Sequence, residues 1–118
     1  MEIQNYPNYL IYNDGRVFSK KNKRFLNPYK TKLGYLHIDL FNEEGRKVLK
    51  VHRLVAMHYL DNPNDYNEVD HINRNKADNR SENLRWADRS INMLNRRKYT
   101  RGEFFFIKYI NPYIFRNE

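Results

Sequence analysis

The sequence predicts an α+β chain: antiparallel β-hairpins, then a short helix, then a strand–loop–strand–helix unit. Three observations predict it. Tyr35-Leu36-His37-Ile38-Asp39-Leu40 alternates apolar and polar residues with period two. Val51, Leu54, Val55, His58 and Tyr59 then fall on one face at helical spacing. Between β-prone runs stand the turn signals Asn13-Asp14-Gly15 and Asn42-Glu43-Glu44-Gly45.

The elements follow in order. Tyr9–Tyr12 and Arg16–Phe18 flank the first turn as a hairpin, and the basic segment 19–24 (SKKNKR) is expected to be a loop. Tyr35–Leu40 and Lys47–Val51 make a second hairpin, and the two are expected to share a small antiparallel sheet. A helix over 52–60 (HRLVAMHYL) packs on it and ends at Asp61-Asn62-Pro63-Asn64. Glu68–Ile72 is a short strand opening into the polar stretch 73–80. Ser81-Glu82-Asn83 is a tight turn or single helical turn, and Leu84–Ala87 alternates as a strand. Asp88 is placed to cap a helix from Arg89 to about Arg97, with Ile91 and Leu94 inward. In the aromatic tail 98–118, Pro112 argues against a helix.

Composition narrows the function. The 118 residues carry 22 Lys+Arg against 14 Asp+Glu, a formal charge of +8. With no cysteine, disulfides, thiol catalysis and Cys-ligated zinc are excluded. No apolar run approaches the ~20 residues of a membrane span, and the start MEIQNYPNY does not read as a secretory signal. A basic chain rich in Tyr, Arg, Lys and Asn suits a polyanionic partner, because cations that neutralise phosphates release counterions. A soluble protein whose charge serves only solubility is the plainer alternative.

Residues 69–95, VDHINRNKADNRSENLRWADRSINMLN, carry the chemistry. Asp70 and His71 are adjacent near a strand end, Asn83 lies twelve positions after His71, and Asn92 falls on the following helix. A strand–loop–strand–helix unit can bring Asp70 and Asn92 to one point. Two hard oxygen donors suit Mg²⁺ or Mn²⁺, which keep waters and accept phosphate oxygens. An imidazole beside such a site is a sensible general base. Asn75, Asp78 and Asn79 read as loop formers, His58 as packed core and Trp86 as packing the hairpin core.

Asp70-His71, Asn83 and Asn92 resemble the signature of the HNH endonucleases, in the variant with Asn as its third letter found in phage and intron-encoded homing enzymes. The segment 9–19 (YLIYNDGRVFS) is similar to the DNA-binding element often placed ahead of such nucleases, and 51–59 (VHRLVAMHY) to the helix that precedes their Asp-His strand. The resemblance spans about residues 6–97. It implies a ββα-metal core in which Asp70 and Asn92 hold a divalent metal ion, His71 is the general base, and Asn83 holds the loop and orients the imidazole. It implies as well a double-stranded DNA substrate, ends carrying 5′-phosphate and 3′-hydroxyl, and nicking as the expected outcome for a single site. A phage or mobile-element origin, and with it a host cytoplasm, is suggested by the same resemblance. The chain then divides into a β-rich DNA-binding part (1–50), a nuclease core (51–97) and the tail (98–118) of one domain, with monomer or homodimer left open.

Candidates for DNA contact are Arg16, Lys20, Lys21, Lys23, Arg24, Lys30 and Lys32 in the first half, and Arg89, Arg96 and Arg97 on the last helix. Three rivals remain: a regulator that keeps the fold and has lost cleavage, a structure-specific or RNA-directed nuclease, and an inhibitory protein-binding module that uses the aromatic tail.

Overall fold

A computed structural model describes residues 1–88. The predicted helix 89–97 and the tail 98–118 lie outside the described residues, and with them Arg89, Asn92, Arg96 and Arg97.

The two predicted hairpins are found, but they sit in two sheets, not one. The first sheet is antiparallel in the order β1 (Glu2–Ile3), β2 (Tyr6–Ile11), β3 (Val17–Ser19) and β4 (Arg24–Phe25). The register shifts between Glu2 and Ile3, so Pro7 enters β2 where the ladder is irregular. The second sheet joins β5 (Tyr29–Lys30), β6 (Leu36–Asn42) and β7 (Gly45–Lys50). Alternation in β6 does what period two requires: Ile38 and Leu40 are buried, while His37 and Asp39 are only partly covered. The loop expected over 19–24 is shorter, residues 20–23, because Ser19 closes β3 and pairs with Arg24, which opens β4.

Helix α1 (Val51–Tyr59) follows β7 without a gap and buries Val51, His52, Leu54, Val55 and Ala56. It packs against β2, β6, β7 and the third sheet, an antiparallel pair of β8 (Glu68–His71) and β9 (Leu84–Ala87). A single 3₁₀ turn, Ser81–Asn83, leads into β9. All three sheets feed one apolar cluster: Ile3, Tyr9, Ile11 and Val17 from the first, Ile38 and Leu40 from the second, Val69 and Leu84 from the third, with Leu54 and Val55 of α1 between them. Each fully buried aliphatic side chain there contributes about 1.5–3 kcal/mol. Trp86, expected to pack the hairpin core, is only partly buried and packs against the cluster from outside, its indole N–H donating to the Leu60 carbonyl at 3.3 Å. No helix among the described residues is long and apolar enough to cross a membrane.

Candidate active site

The site is built on β8, β9 and the polar loop between them. Asp70 pairs with Arg85 in the β8–β9 register, and Asp70 Oδ2 accepts from Arg85 Nε (3.1 Å) and from its terminal nitrogen (3.0 Å). His71, the next residue, points to the opposite side of the strand. Both are buried, Asp70 to 3% exposure and His71 to 4%. A strand covered on both faces is what lets neighbouring residues serve two different environments.

Asn83 staples the loop. Its Oδ1 accepts from the Asn73 amide at 3.1 Å, and its Nδ2 donates to Asn73 Oδ1 (2.9 Å) and to the Asp78 carbonyl (2.8 Å). Its own carbonyl accepts from the Ile72 amide at 2.8 Å. Within the loop, Asn75 N donates to Asn73 Oδ1 and Ala77 N to Asn75 Oδ1, as expected of residues that mimic turns. Arg80 grips Asp78 with two bonds of 2.8 Å and holds that carboxyl down at about 2.

The imidazole of His71 is held by a different residue from the one expected. Its Nε2 donates to Asn79 Oδ1 at 2.7 Å, while Asn83 bonds the loop backbone and Asn73. Asn79 is therefore more than a loop former: it is 4% exposed and fixes the ring. With the proton on Nε2, the lone pair lies on Nδ1. Burial pushes the His71 pKa down, and the bond to Asn79 and the charge of Asp70 oppose that shift.

Asn79 is positioned in turn by the first hairpin. Gly15, at φ +95°, has no Cβ, and one built there would lie 3.0 Å from the Asn79 Cβ. The Ser81 amide donates to the Asn13 carbonyl at 2.7 Å, so the turn 13–15 clasps the end of the site loop. On its other side His71 meets aromatic rings: His52 at 5.0 Å and Tyr35 at 5.9 Å between centroids. His52 is stacked on Tyr35 at 5.1 Å, and its Nδ1 has no hydrogen-bond partner among the described residues. Burial, with His71 and the cations of Lys50 and Arg53 adding to it, lowers its pKa to about 3. His58 is half-buried, its Nδ1 donating to the Leu54 carbonyl (2.7 Å) and its Nε2 accepting from the Gln4 amide (3.0 Å).

The donor chemistry fits a hard divalent cation. Asp70 offers carboxylate oxygen beside a guanidinium, and the amide oxygen expected with it belongs to Asn92, outside the described residues. Among the described residues no three His, Cys, Asp or Glu side chains converge.

The expected DNA-contacting cations fall into two groups. Arg16 is engaged with Asp14 at 2.8 Å and lies over the Tyr12 and Phe25 rings, and Lys20 pairs with Glu2 at 2.7 Å. Lys21, Lys23, Arg24, Lys30 and Lys32 are exposed and make no ion pair among the described residues. Sequence reasoning missed Asn79 and Arg85. Nothing distinguishes Asn79 from Asn75 in an Asn-rich loop, whereas Arg85 could be found by setting Leu84–Ala87 antiparallel to Glu68–His71.

Comparison with known proteins gives concordant results. An HNH endonuclease family model matches residues 49–94. An HNH endonuclease of Acanthamoeba polyphaga mimivirus is 41% identical over 108 residues, covering 92% of this chain and 32% of the relative. The DNA endonuclease I-HmuI of Bacillus phage SP01 is 39% identical over 95 residues, covering 80% of this chain and 55% of that protein. A solved structure described as DNA binding and cleavage by the HNH homing endonuclease I-HmuI superposes with a TM-score of 0.77 at 34% identity, covering 94% of this chain and 67% of that one. The chain thus spans about a third to half of these two curated relatives.

Proposed function

The chain belongs to the HNH endonuclease family, and on that premise we propose that it is a divalent-metal-dependent endonuclease that hydrolyses phosphodiester bonds of duplex DNA, one strand at a time. The observation that carries this reading is the pairing of Asp70 and His71 on opposite sides of β8, with the imidazole fixed through Nε2 and its loop stapled by Asn83.

The roles divide as follows. Asp70 and Asn92 hold Mg²⁺ or Mn²⁺, which when bound offsets charge on the scissile phosphate and on the leaving oxygen. His71 Nδ1 takes the proton of the attacking water, and the neutral form favoured by burial is the form able to do so. Asn79 sets the tautomer and the ring angle, and Asn83 keeps Asn73 to Asp78 folded beneath them. Arg85 anchors Asp70, so that the carboxylate stays in place whether or not it holds a cation. In this chemistry positioning and electrostatics do most of the work. The exposed cations of β4, the 20–23 loop and the β5 region, with Arg89, Arg96 and Arg97, supply backbone contacts to the duplex. One site per chain makes nicking the expected product, with 5′-phosphate and 3′-hydroxyl ends, and a host cytoplasm is the setting that phage relatives suggest.

Supercoiled plasmid and a random-sequence duplex pool, each incubated with Mg²⁺, Mn²⁺ or EDTA, test the proposal. Open circles or nicked duplex in the metal lanes, absent with EDTA, are expected. DNA binding with no cutting of either substrate in any metal would contradict it and leave the regulator reading.

A further inference from the structure

Tyr35, just ahead of β6, stands between the site and a basic groove. The Nζ of Lys76 lies 4.7 Å from its ring centroid and that of Lys50 lies 5.7 Å away. Around them runs an open groove of about 300 Å³, lined among others by Tyr35, Lys50, His52, Arg53, Glu68 and Lys76. Two of its lining rings, the stacked His52 and Tyr35, lie 5.0 and 5.9 Å from the His71 ring between centroids. The groove is therefore separated from the imidazole by those two rings alone.

Its chemistry is that of an anion seat. Three cations face one carboxylate, that of Glu68. Arg53 is partly occupied, donating to the Asn67 carbonyl at 2.7 Å while lying over Trp86. Among the described residues Lys76 donates once, to the Leu33 carbonyl at 2.6 Å, and an ammonium has three donors. Lys50 is exposed and makes no ion pair among the described residues. A base is a poor occupant, because His52 and the two ammonium groups already cover the Tyr35 ring that would stack on it. A phosphate with its sugar fits the charge, and such contacts position a strand without reading its sequence.

We infer that Lys50 and Lys76, which line one groove with their Nζ atoms 5.7 and 4.7 Å from the Tyr35 ring centre, clamp a backbone phosphate of duplex DNA next to the one that is cut. The inference rests on the nuclease reading and deepens it by stating where the attacked strand leaves the site. The two lysines come from different elements, Lys50 from the end of β7 and Lys76 from the loop that also carries Asn79. A phosphate between them ties that loop to the helix start, so strand binding and the setting of His71 are coupled.

The test is equilibrium binding of a labelled duplex over a salt series, using the full chain. Wild type is compared with Lys50→Gln/Lys76→Gln and Lys50→Arg/Lys76→Arg, and circular dichroism melts serve as folding controls. Loss of one phosphate contact lowers the slope of log affinity against log salt by about one. The glutamine pair is expected to lose that slope and about tenfold in affinity at low salt while melting like wild type, and the arginine pair to recover both. If wild type binds and cuts but the glutamine pair keeps its slope, the clamp is overturned and the nuclease reading stands. If wild type does not bind duplex DNA at all, both fall.

Discussion

The first sheet and the β8–β9 hairpin are both antiparallel, yet opposite materials hold them together. In β1 to β4 the interior is apolar apart from Ser19, with Ile3, Tyr6, Tyr9, Ile11 and Val17 buried, and the cations stand outside on the rim. In the hairpin Asp70, His71, Asn79 and Asn83 are themselves buried, and side-chain amides do the joining. The first region separates folding from its proposed DNA contacts. In the second the same atoms would serve both, so a substitution there is expected to strike stability and chemistry together.

Asn83→Ala should break that comparison most severely. It strands the Asn73 amide and the Asp78 carbonyl and takes one of the two donors from Asn73 Oδ1, at a cost of about 2–4 kcal/mol. Thermal unfolding followed by circular dichroism should show a midpoint lowered by roughly 10 °C or more. A midpoint within a degree or two of wild type would mean that the amide staple is not what holds the loop.

The buried rings give the hairpin side a pH dependence that the first sheet, which has no histidine, lacks. Held at about 3 in the fold against an ordinary 6.5, His52 is neutral when folded and protonated when unfolded between those values. Its contribution is complete above pH 6.5 and shrinks as pH falls toward 3, by up to about 1.4 kcal/mol per pH unit. Urea midpoints measured from pH 7 to 4.5 should therefore fall, and His52→Phe should flatten the curve. Parallel curves for the two proteins would contradict this.

Gly15→Ala sharpens the contrast by joining the two regions. A methyl at φ +95° and 3.0 Å from Asn79 Cβ should cost about 1–2 kcal/mol and slow cleavage about tenfold through Asn79, although residue 15 belongs to the first hairpin. Single-turnover cleavage at unchanged DNA affinity is the readout. A variant that is merely less stable, cutting at the wild-type rate below its midpoint, would uncouple the turn from the site. The smallest effects belong to the rim. Lys21→Ala or Lys23→Ala should leave the unfolding free energy within about 0.5 kcal/mol of wild type, and each should lower the salt slope of duplex binding by about one.

How much of this was legible follows the same division. The period-two run of β6 and the helical spacing of α1 are local patterns, and both were found where the sequence places them. The two-residue strands β1, β4 and β5 were not, because nothing local selects them: Ile3 is a strand residue by facing Tyr6, Phe25 by facing Phe18, and Tyr29 by facing His37. That tertiary pairing is also why one expected sheet became two. In the site, Asp70, His71 and Asn83 could be singled out because their chemistry and spacing form a motif. Asn79 and Gly15 could not, since each looks like an ordinary turn residue until the first hairpin is laid against the loop.

His71→Ala tests the assignment of the base most directly. Cleavage of a duplex that wild type cuts is measured under single turnover in Mg²⁺, with duplex affinity taken on the same preparations. Cutting should fall about 10²–10⁴-fold while affinity stays within about threefold. Cleavage by the variant at the wild-type rate would show that the proton is taken elsewhere and that the β8 histidine is only part of the packing.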